Sequence, residues 1–321
     1  MTVLVLTRPR LDATADMVIH ELAERGVPVV RLDPADFPEN STLATRIGPG
    51  QDAWHGLWRG QHRDLRLEDV TAVYYRRPGG FKLHPGLSPE DAQWAAAEAR
   101  AGLGGVLMAL PRSWINHPHR NALADCAPVA LATAARCGLT VPETLITNDP
   151  QEARDFVASL PGRRAAYKAV GNCGPTAHDG QQYALWTAPV TVDQITDQVA
   201  HTAHLIQQWV DKAYEVRLTA VGNRMFAAEI HAGSEASRID FRRDYSSLTY
   251  VVREVPDPIR RGVLAVMRAF GLRYVAMDFL VSRGGGWYAV DVNPNGQFGF
   301  VPELRDPITK ALADALQGVA A

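Results

Sequence analysis

The sequence predicts a doubly wound α/β unit followed by an α+β half whose sheet is largely antiparallel. Three observations carry this expectation. An apolar run at 3–6, a helix-spaced stretch at 13–25 closed by Gly26, and a second apolar run at 27–32 make a strand–helix–strand opening, the building unit of parallel sheets. After Ala165 the pattern changes, and short strand-like runs outnumber helical ones. No internal repeat or low-complexity tract interrupts either half.

The elements follow in order. Residues 34–69 are rich in turn formers and Trp, with short strand-like pieces. They read as a hairpin excursion in which Trp54 and Trp58 fill a small core. A strand at 72–75 ends in Arg76-Arg77-Pro78-Gly79-Gly80. Ser88, Pro89, Glu90 and Asp91 give a capping hydroxyl, a proline at the first helical position and acids at the positive dipole end, so a helix starts there and runs to about 110. A strand at 114–116 closes the first unit. A helix is expected over 122–137, stopped by Gly138, and 139–147 leads into a second αβ unit. Further strands are expected at 166–170, 183–186, 205–209, 216–221, 225–230, 274–281 and 287–292. A terminal helix over 307–317 has apolar positions at helical spacing and should pack on the sheet.

Composition narrows the function classes. The chain has 321 residues, 46% hydrophobic and 21% charged, enough for two or three small subdomains around one site. With 33 Lys and Arg against 35 Asp and Glu, the net charge of −2 argues against bulk electrostatic binding to nucleic acid or to an anionic membrane. The apolar runs are too short to span a bilayer, and the first residues form neither a signal peptide nor its cleavage site. Cys126, Cys137 and Cys173 are odd in number and lack metal-type spacing, which suits a reducing cytoplasm.

Four segments carry chemistry. Ala276-Met277-Asp278-Phe279-Leu280 and Val290-Asp291-Val292-Asn293 flank a Gly-rich turn and form a natural hairpin. Strand alternation puts Asp291 and Asn293 on one side, where Asp278 of the partner strand can face them. Three such oxygens suit Mg²⁺, a hard cation that completes its shell with phosphate or water. Equally, Asp291 and Asn293 read as the opening of the turn Asn293-Pro294-Asn295-Gly296. Lys168 lies between apolar residues on an expected strand, where a buried ammonium requires an anionic partner. The turn Gly171-Asn172-Cys173-Gly174-Pro175 that follows can close over phosphates through backbone N–H groups. The bland reading makes Lys168 an edge-strand lysine reaching water. Leu205-Ile206-Gln207-Gln208-Trp209-Val210 reads as an apolar strand running into a polar hinge that can offer backbone groups to a purine edge; Glu215 can take ribose hydroxyls and Arg217 can reach phosphate, or the two can be a solvated strand face. Arg238, Arg242 and Arg243 form a cationic cluster, either a phosphate clamp or a charged loop. His117 and His119 flank Pro118 without metal-partner spacing.

The order of these pieces resembles the ATP-grasp superfamily over the last two-thirds of the chain, and the opening strand–helix–strand resembles its N-terminal preATP-grasp domain. Three stretches resemble one branch, the ATP-grasp maturases of ribosomal peptides (graspetide or microviridin-type macrocyclases). They are Tyr74-Tyr75-Arg76-Arg77-Pro78; Trp114-Ile115-Asn116-His117-Pro118 leading to Val141-Pro142-Glu143-Thr144; and Asp291-Val292-Asn293-Pro294-Asn295-Gly296-Gln297. The resemblance implies an ATP-grasp fold with a preATP-grasp-like unit over 1–118, a central unit over 119–204 and a C-terminal α+β unit over 205–321. It implies ATP and Mg²⁺ as cofactors. Lys168, Gln208, Trp209, Val210, Glu215, Arg217 and Arg242 would bind the nucleotide, with Arg217 and Arg242 also stabilising the acyl-phosphate step; Asp278, Asp291 and Asn293 would hold the metal. The family commonly has a nucleotide-contacting lysine in the helix after Asn-His-Pro; here 120–128 contains none, and Arg120 is the candidate substitute. Many relatives have Glu-x-Asn where this chain has Asp291-Val292-Asn293.

On that resemblance the chain is an ATP-dependent ligase. It would bind a ribosomal precursor peptide, leader and core, activate a core Asp or Glu, and pass it to a hydroxyl or amine in a side-chain ester or amide ring. A homodimer is expected from the resemblance alone. Two rivals share the fold: a ligase of free amino acids or small peptides, and a catalytically idle peptide-binding protein. A dinucleotide-binding enzyme is disfavoured, because Thr7-Arg8-Pro9-Arg10-Leu11-Asp12 lacks a Gly-rich fingerprint.

Overall fold

A computed structural model describes residues 2–8, 12–171, 176–178, 181–183 and 185–319. The first unit runs β1 (Thr2–Leu6), α1 (Ala13–Glu24), β2 (Val29–Leu32), β3 (Thr42–Arg46), β4 (His55–Arg59), β5 (Asp64–Arg66), β6 (Val70–Tyr75), α2 (Pro89–Ala99), α3 (Gly105–Met108) and β7 (Ser113–Ile115). Its main sheet has the order β2-β1-β6-β7 with every pairing parallel. The doubly wound expectation is met. The 34–69 excursion is a three-stranded antiparallel sheet, β3-β4-β5. Trp58 is fully buried there beside Leu65 and Leu67, and its indole N–H donates to Ser41 Oγ at 3.1 Å. Helix α2 starts at the Ser88 cap and continues through one π-helical stretch, Arg100–Gly104, into α3.

The expected 122–137 helix is two helices, α4 (Pro118–Ala124) and α5 (Ala127–Arg136). Pro128 lies at the start of α5, and its missing N–H and ring clash exclude a continuous helix through Ala124. The central unit adds β8 (Thr144–Thr147), α6 (Pro150–Ser159), β9 (Arg164–Lys168), β10 (Thr176–His178), β11 (Gln181–Tyr183), β12 (Ala188–Thr191) and β13 (His204–Gln208). The strand expected at 183–186 lies earlier, as β11. The larger central sheet has the order β12-β9-β13-β8, all antiparallel. Because β13 pairs with β8 and β9, residues 205–208 sit in this sheet.

The last unit comprises β14 (Lys212–Val221), β15 (Arg224–Ala232), α7 (Glu235–Ile239), β16 (Leu248–Arg253), α8 (Asp257–Phe270), β17 (Tyr274–Ser282), β18 (Trp287–Asn293) and α9 (Pro302–Gln317). Its antiparallel sheet has the order β16-β15-β14-β17-β18. Helix α8, unassigned in the sequence reading, buries Val263, Val266, Met267 and Phe270 against one face of that sheet and ends at a left-handed Gly271, the conformation glycine adopts without strain. The terminal helix begins at Pro302, with Pro307 inside it. It buries Leu304, Ile308, Leu312 and Leu316 between α1, the parallel sheet and the back of β14 and β15. The first and last units therefore share a core. No helix among the described residues is long and apolar enough to cross a membrane.

Candidate active site

The two antiparallel sheets, with α5, enclose a cleft of about 310 Å³, within the range of small-molecule sites. Strands β9 and β13 line one wall, and β14, β17 and β18 line the other, with Ile239–Arg242 at the rim and Ala127, Ala130 and Leu131 from α5.

Lys168 stands on β9, an interior strand of its sheet, so the edge-strand reading fails. Its Nζ donates to Gln207 Oε1 at 2.8 Å, and Gln207 Nε2 donates in turn to Thr144 Oγ1 at 2.9 Å. Burial lowers the Lys168 pKa, while the Asp291 carboxylate opposes the shift. Gln207 is 2% exposed, and within the 205–210 segment it had no role of its own in the sequence reading. Alternation could have found it, since Ile206 faces the α6 core and Leu205 and Gln207 must face the cleft.

Gln208, Trp209 and Val210 all line the cleft. Gln208 is tied to Glu143, the residue before β8, at both ends: its N–H donates to Glu143 O at 2.8 Å, and its Oε1 accepts from Glu143 N at 3.4 Å. The Arg164 guanidinium stacks on the Trp209 ring at 4.0 Å. Glu215 is 8% exposed and Arg217 7%, so neither belongs to a solvated strand face. Glu215 Oε1 accepts from Lys212 Nζ at 2.6 Å. Burial raises the Glu215 pKa, and Lys212 pulls it back. Lys212 also lines the cleft; three residues before Glu215, it was not recognised in the sequence.

Arg217 and Asp278 are cross-strand partners, with Nε to Oδ1 at 3.0 Å. The guanidinium also lies 5.9 Å from the Phe241 ring centroid and 5.2 Å from that of Phe300. Removing one member of so buried a pair typically costs about 3–5 kcal/mol. Arg242 reaches the cleft from its rim, clamped by Asp240 through Nε at 2.9 Å and Nη2 at 2.8 Å. That pairing raises the Arg242 pKa. At Asp240 burial pushes the pKa up, but the Arg242 bonds outweigh it and hold the carboxyl low. Arg238 and Arg243 are exposed and do not line the cleft.

Asp278 and Asp291 are register partners across β17 and β18. Asp291 opens to water inside the cleft, yet the surrounding walls push its carboxyl up to about 6, and the neighbouring Asp278 charge adds to the rise. Two crowded carboxylates of this kind are relieved by a divalent cation. Asn293 lines the same spot, and its Oδ1 also accepts from Asn295 N at 3.0 Å. It therefore forms the turn and retains a lone pair for a ligand. Among the described residues no group of three or more His, Cys, Asp or Glu gathers to hold a metal. Two carboxylates and an amide fit a cation that takes its remaining oxygens from phosphate and water, as Mg²⁺ does.

Other expectations resolve differently. Arg120 is turned away: its Nη1 donates to Gly271 O at 2.7 Å, capping α8, and it does not line the cleft. His117 caps His119 N at 3.4 Å and stacks edge-on with Trp114, a packing role. The loop residues 172–175, including Cys173, lie outside the described residues, as do 9–11 of the first strand–helix junction.

Residues 2–122 match the family described as the MvdD pre-ATP grasp domain. No curated protein matches the chain. Among solved structures, a RiPP-associated ATP-grasp ligase of Chryseobacterium gregarium, in complex with ADP and a leader and core peptide, has a TM-score of 0.90 and 25% identity, covering 100% of this chain and 97% of that one. The macrocyclase MdnC of Microcystis aeruginosa MRC, bound with precursor peptide MdnA, has a TM-score of 0.85 and 25% identity, covering 99% and 100%. The ATP-grasp ligase PsnB, complexed with a phosphomimetic variant of a minimal precursor, Mg and ADP, has a TM-score of 0.76 over 100% and 98%, but at 21% identity the likeness is one of fold. The chain has the ATP-grasp fold, matches the MvdD pre-ATP grasp family over residues 2–122, and resembles the ATP-grasp maturases of ribosomal peptides.

Proposed function

We propose that this protein is an ATP- and Mg²⁺-dependent ligase that activates Asp or Glu side chains of a ribosomal precursor peptide and closes side-chain ester or amide rings. The observation that carries the reading is the cleft itself. A carboxylate pair, Asp278 and Asp291, stands between Lys168, Arg217 and Arg242, and the chain is similar over its whole length to a ligase solved with ADP and leader and core peptide and to a macrocyclase solved with its precursor peptide.

Bound ATP and Mg²⁺ would supply the phosphoryl group that turns the peptide carboxylate into an acyl phosphate. The protein's part is positioning and charge. Gln208, Trp209 and Val210 would border the base, and Glu215, held by Lys212, would accept the ribose hydroxyls. Lys168, Arg217 and Arg242 would bind phosphate oxygens and lower the repulsion between two anions that must react. Asp278, Asp291 and Asn293 would hold the metal. Burial of Arg217 beside two aromatic rings keeps water from its charge and strengthens each contact it makes. The proposal includes a preATP-grasp-like unit over 1–118, and it moves the boundary between the other two units from 204/205 to the residues after β13. It also includes a cytoplasmic location and a homodimer.

The test is ADP release with Mg·ATP in the presence of peptides encoded beside this protein's gene, with mass spectrometry of the products. Peptide-dependent ADP formation with a loss of about 18 Da per ring, one water per condensation, supports the reading. Turnover with free amino acids alone would assign a small-molecule ligase. No ATP binding would sink the ligase reading altogether.

A further inference from the structure

The three stretches that carry the family resemblance meet at one point, the turn that follows the metal-binding strand. Pro294 O accepts from Asn116 Nδ2 at 3.0 Å. Asn295 O accepts from Arg76 Nη1. Gly296 O accepts from Tyr274 Oη–H at 2.6 Å and from Arg76 Nη1 at 3.3 Å. Gln297 Oε1 accepts from Thr14 Oγ1 at 3.1 Å. Three successive carbonyls of an irregular, largely buried turn need donors, and the first unit provides most of them.

The donors are themselves fixed. Arg76 is 1% exposed and Asp12 4%, and they form an ion pair at 2.9 Å. Asp12 also caps α1, accepting from Thr14 N at 3.1 Å and Ala15 N at 3.2 Å. Asn116 uses every hydrogen-bonding position of its amide: Nδ2 also donates to Tyr274 O at 2.8 Å, and Oδ1 accepts from Arg273 N at 2.9 Å and Tyr274 N at 3.0 Å. At Gly296 a Cβ would stand 2.3 Å from Ala276 Cβ. The turn is thus pressed onto β17 two residues from Asp278. The orientation of the Asn293 amide follows, because its Oδ1 is bound to the N–H of Asn295.

We propose that Arg76 and Asn116 are positioning residues for the metal site: the first unit holds the 294–297 turn so that Asn293 meets the cation alongside Asp278 and Asp291. The proposal rests on the ligase reading for the identity of the cation. It also assigns a role to the Arg76 and Asn116 motifs, which touch neither nucleotide walls nor the carboxylate pair.

The experiment is calorimetric ADP binding, in EDTA and across a Mg²⁺ titration, for the unaltered protein, Arg76→Lys and Asn116→Ala, with circular dichroism and thermal melts as folding controls. The expected result is ADP affinity in EDTA within about twofold of the unaltered protein, as for a site not in direct contact. The Mg²⁺ concentration giving half of the enhancement should rise about tenfold, as expected when a charged or fully used hydrogen bond is lost. Folded variants with unchanged Mg²⁺ dependence overturn the proposal. So does equal weakening with and without Mg²⁺, which marks a purely structural role. Should Arg76→Lys and Asn116→Ala fail to fold, Thr14→Val decides, because it removes the hydroxyl's contacts to Gln297 and Asp12 while leaving Arg76 and Asn116 in place; its expected shift in Mg²⁺ dependence is about two- to threefold. An unaltered protein that binds no ADP would instead reject the ligase reading, and ADP binding indifferent to Mg²⁺ would reject the metal assignment.

Discussion

Replacing Lys212 with Met should uncouple this protein's affinity for ATP from the ribose hydroxyls. Lys212 Nζ lies 2.6 Å from Glu215 Oε1, with the two side chains only 15% and 11% exposed. Burial raises the Glu215 pKa, and Lys212 is the largest influence pulling it down. Without the ammonium the carboxyl protonates more readily and loses acceptor capacity. A hydrogen bond to a charged group is worth about 1.5–3 kcal/mol, and about 1.4 kcal/mol is a factor of ten. ATP affinity should therefore fall roughly ten- to a hundredfold. An analogue lacking one hydroxyl, 2′-deoxyATP, should lose less, so the preference for ATP shrinks. The sign with pH follows: the ionised carboxylate is the acceptor, so affinity is full above the raised Glu215 pKa and is lost as pH falls through it. Lys212→Met moves that loss to higher pH. Fluorescence displacement with ATP and 2′-deoxyATP at two pH values reads both effects. A folded Lys212→Met protein with an unchanged ATP preference would refute the reasoning, and so would an unchanged pH profile.

Three further outcomes are expected. Asp291→Ala should abolish Mg²⁺-dependent ADP formation, and in the unaltered protein Mg²⁺ binding should weaken as pH falls below about 6, where the raised Asp291 carboxyl takes up a proton; calorimetry in buffers of different ionisation enthalpy would detect the proton released. Arg217→Met removes one member of the buried pair with Asp278, so stability should drop by about 3–5 kcal/mol, visible as a lower melting temperature along with lost turnover. Arg120→Ala should cost about 1 kcal/mol through the lost cap on α8, while ATP affinity stays unchanged; weakened ATP binding would restore Arg120 as the substitute for the absent lysine.

Much of the fold was legible because its signals are local. The β1–α1–β2 opening, the Ser88-Pro89 start of α2 and the apolar hairpin of β17 and β18 each follow from periodicity and capping within a dozen residues. Helix α8 carries equally local signals in Val263, Val266, Met267, Phe270 and Gly271, set within a half dominated by short strands. Pro128 announced the break before α5, and the Ala-rich run on both sides concealed it.

Residue types and their order also determined the candidate site. Lys168, Gln208, Trp209, Val210, Glu215, Arg217, Arg242, Asp278, Asp291 and Asn293 all line one cleft or touch a residue that does. The family resemblance named these residues, and strand alternation accounts for the faces they share, since side chains sort onto faces and a buried charge on an interior face demands a partner. The partners of these charges emerge from the packed fold. Gln207 for Lys168, Lys212 for Glu215 and Asp240 for Arg242 depend on side-chain geometry in pairs and turns that alternation leaves open. The meeting of Asp12, Arg76 and Asn116 with the 294–297 turn depends on hydrogen bonds between residues 178 to 283 positions apart, brought together by the core that α9 shares with the first sheet. Side-chain spacing along a strand is a local property, whereas the closure of one unit on another belongs to the packed molecule.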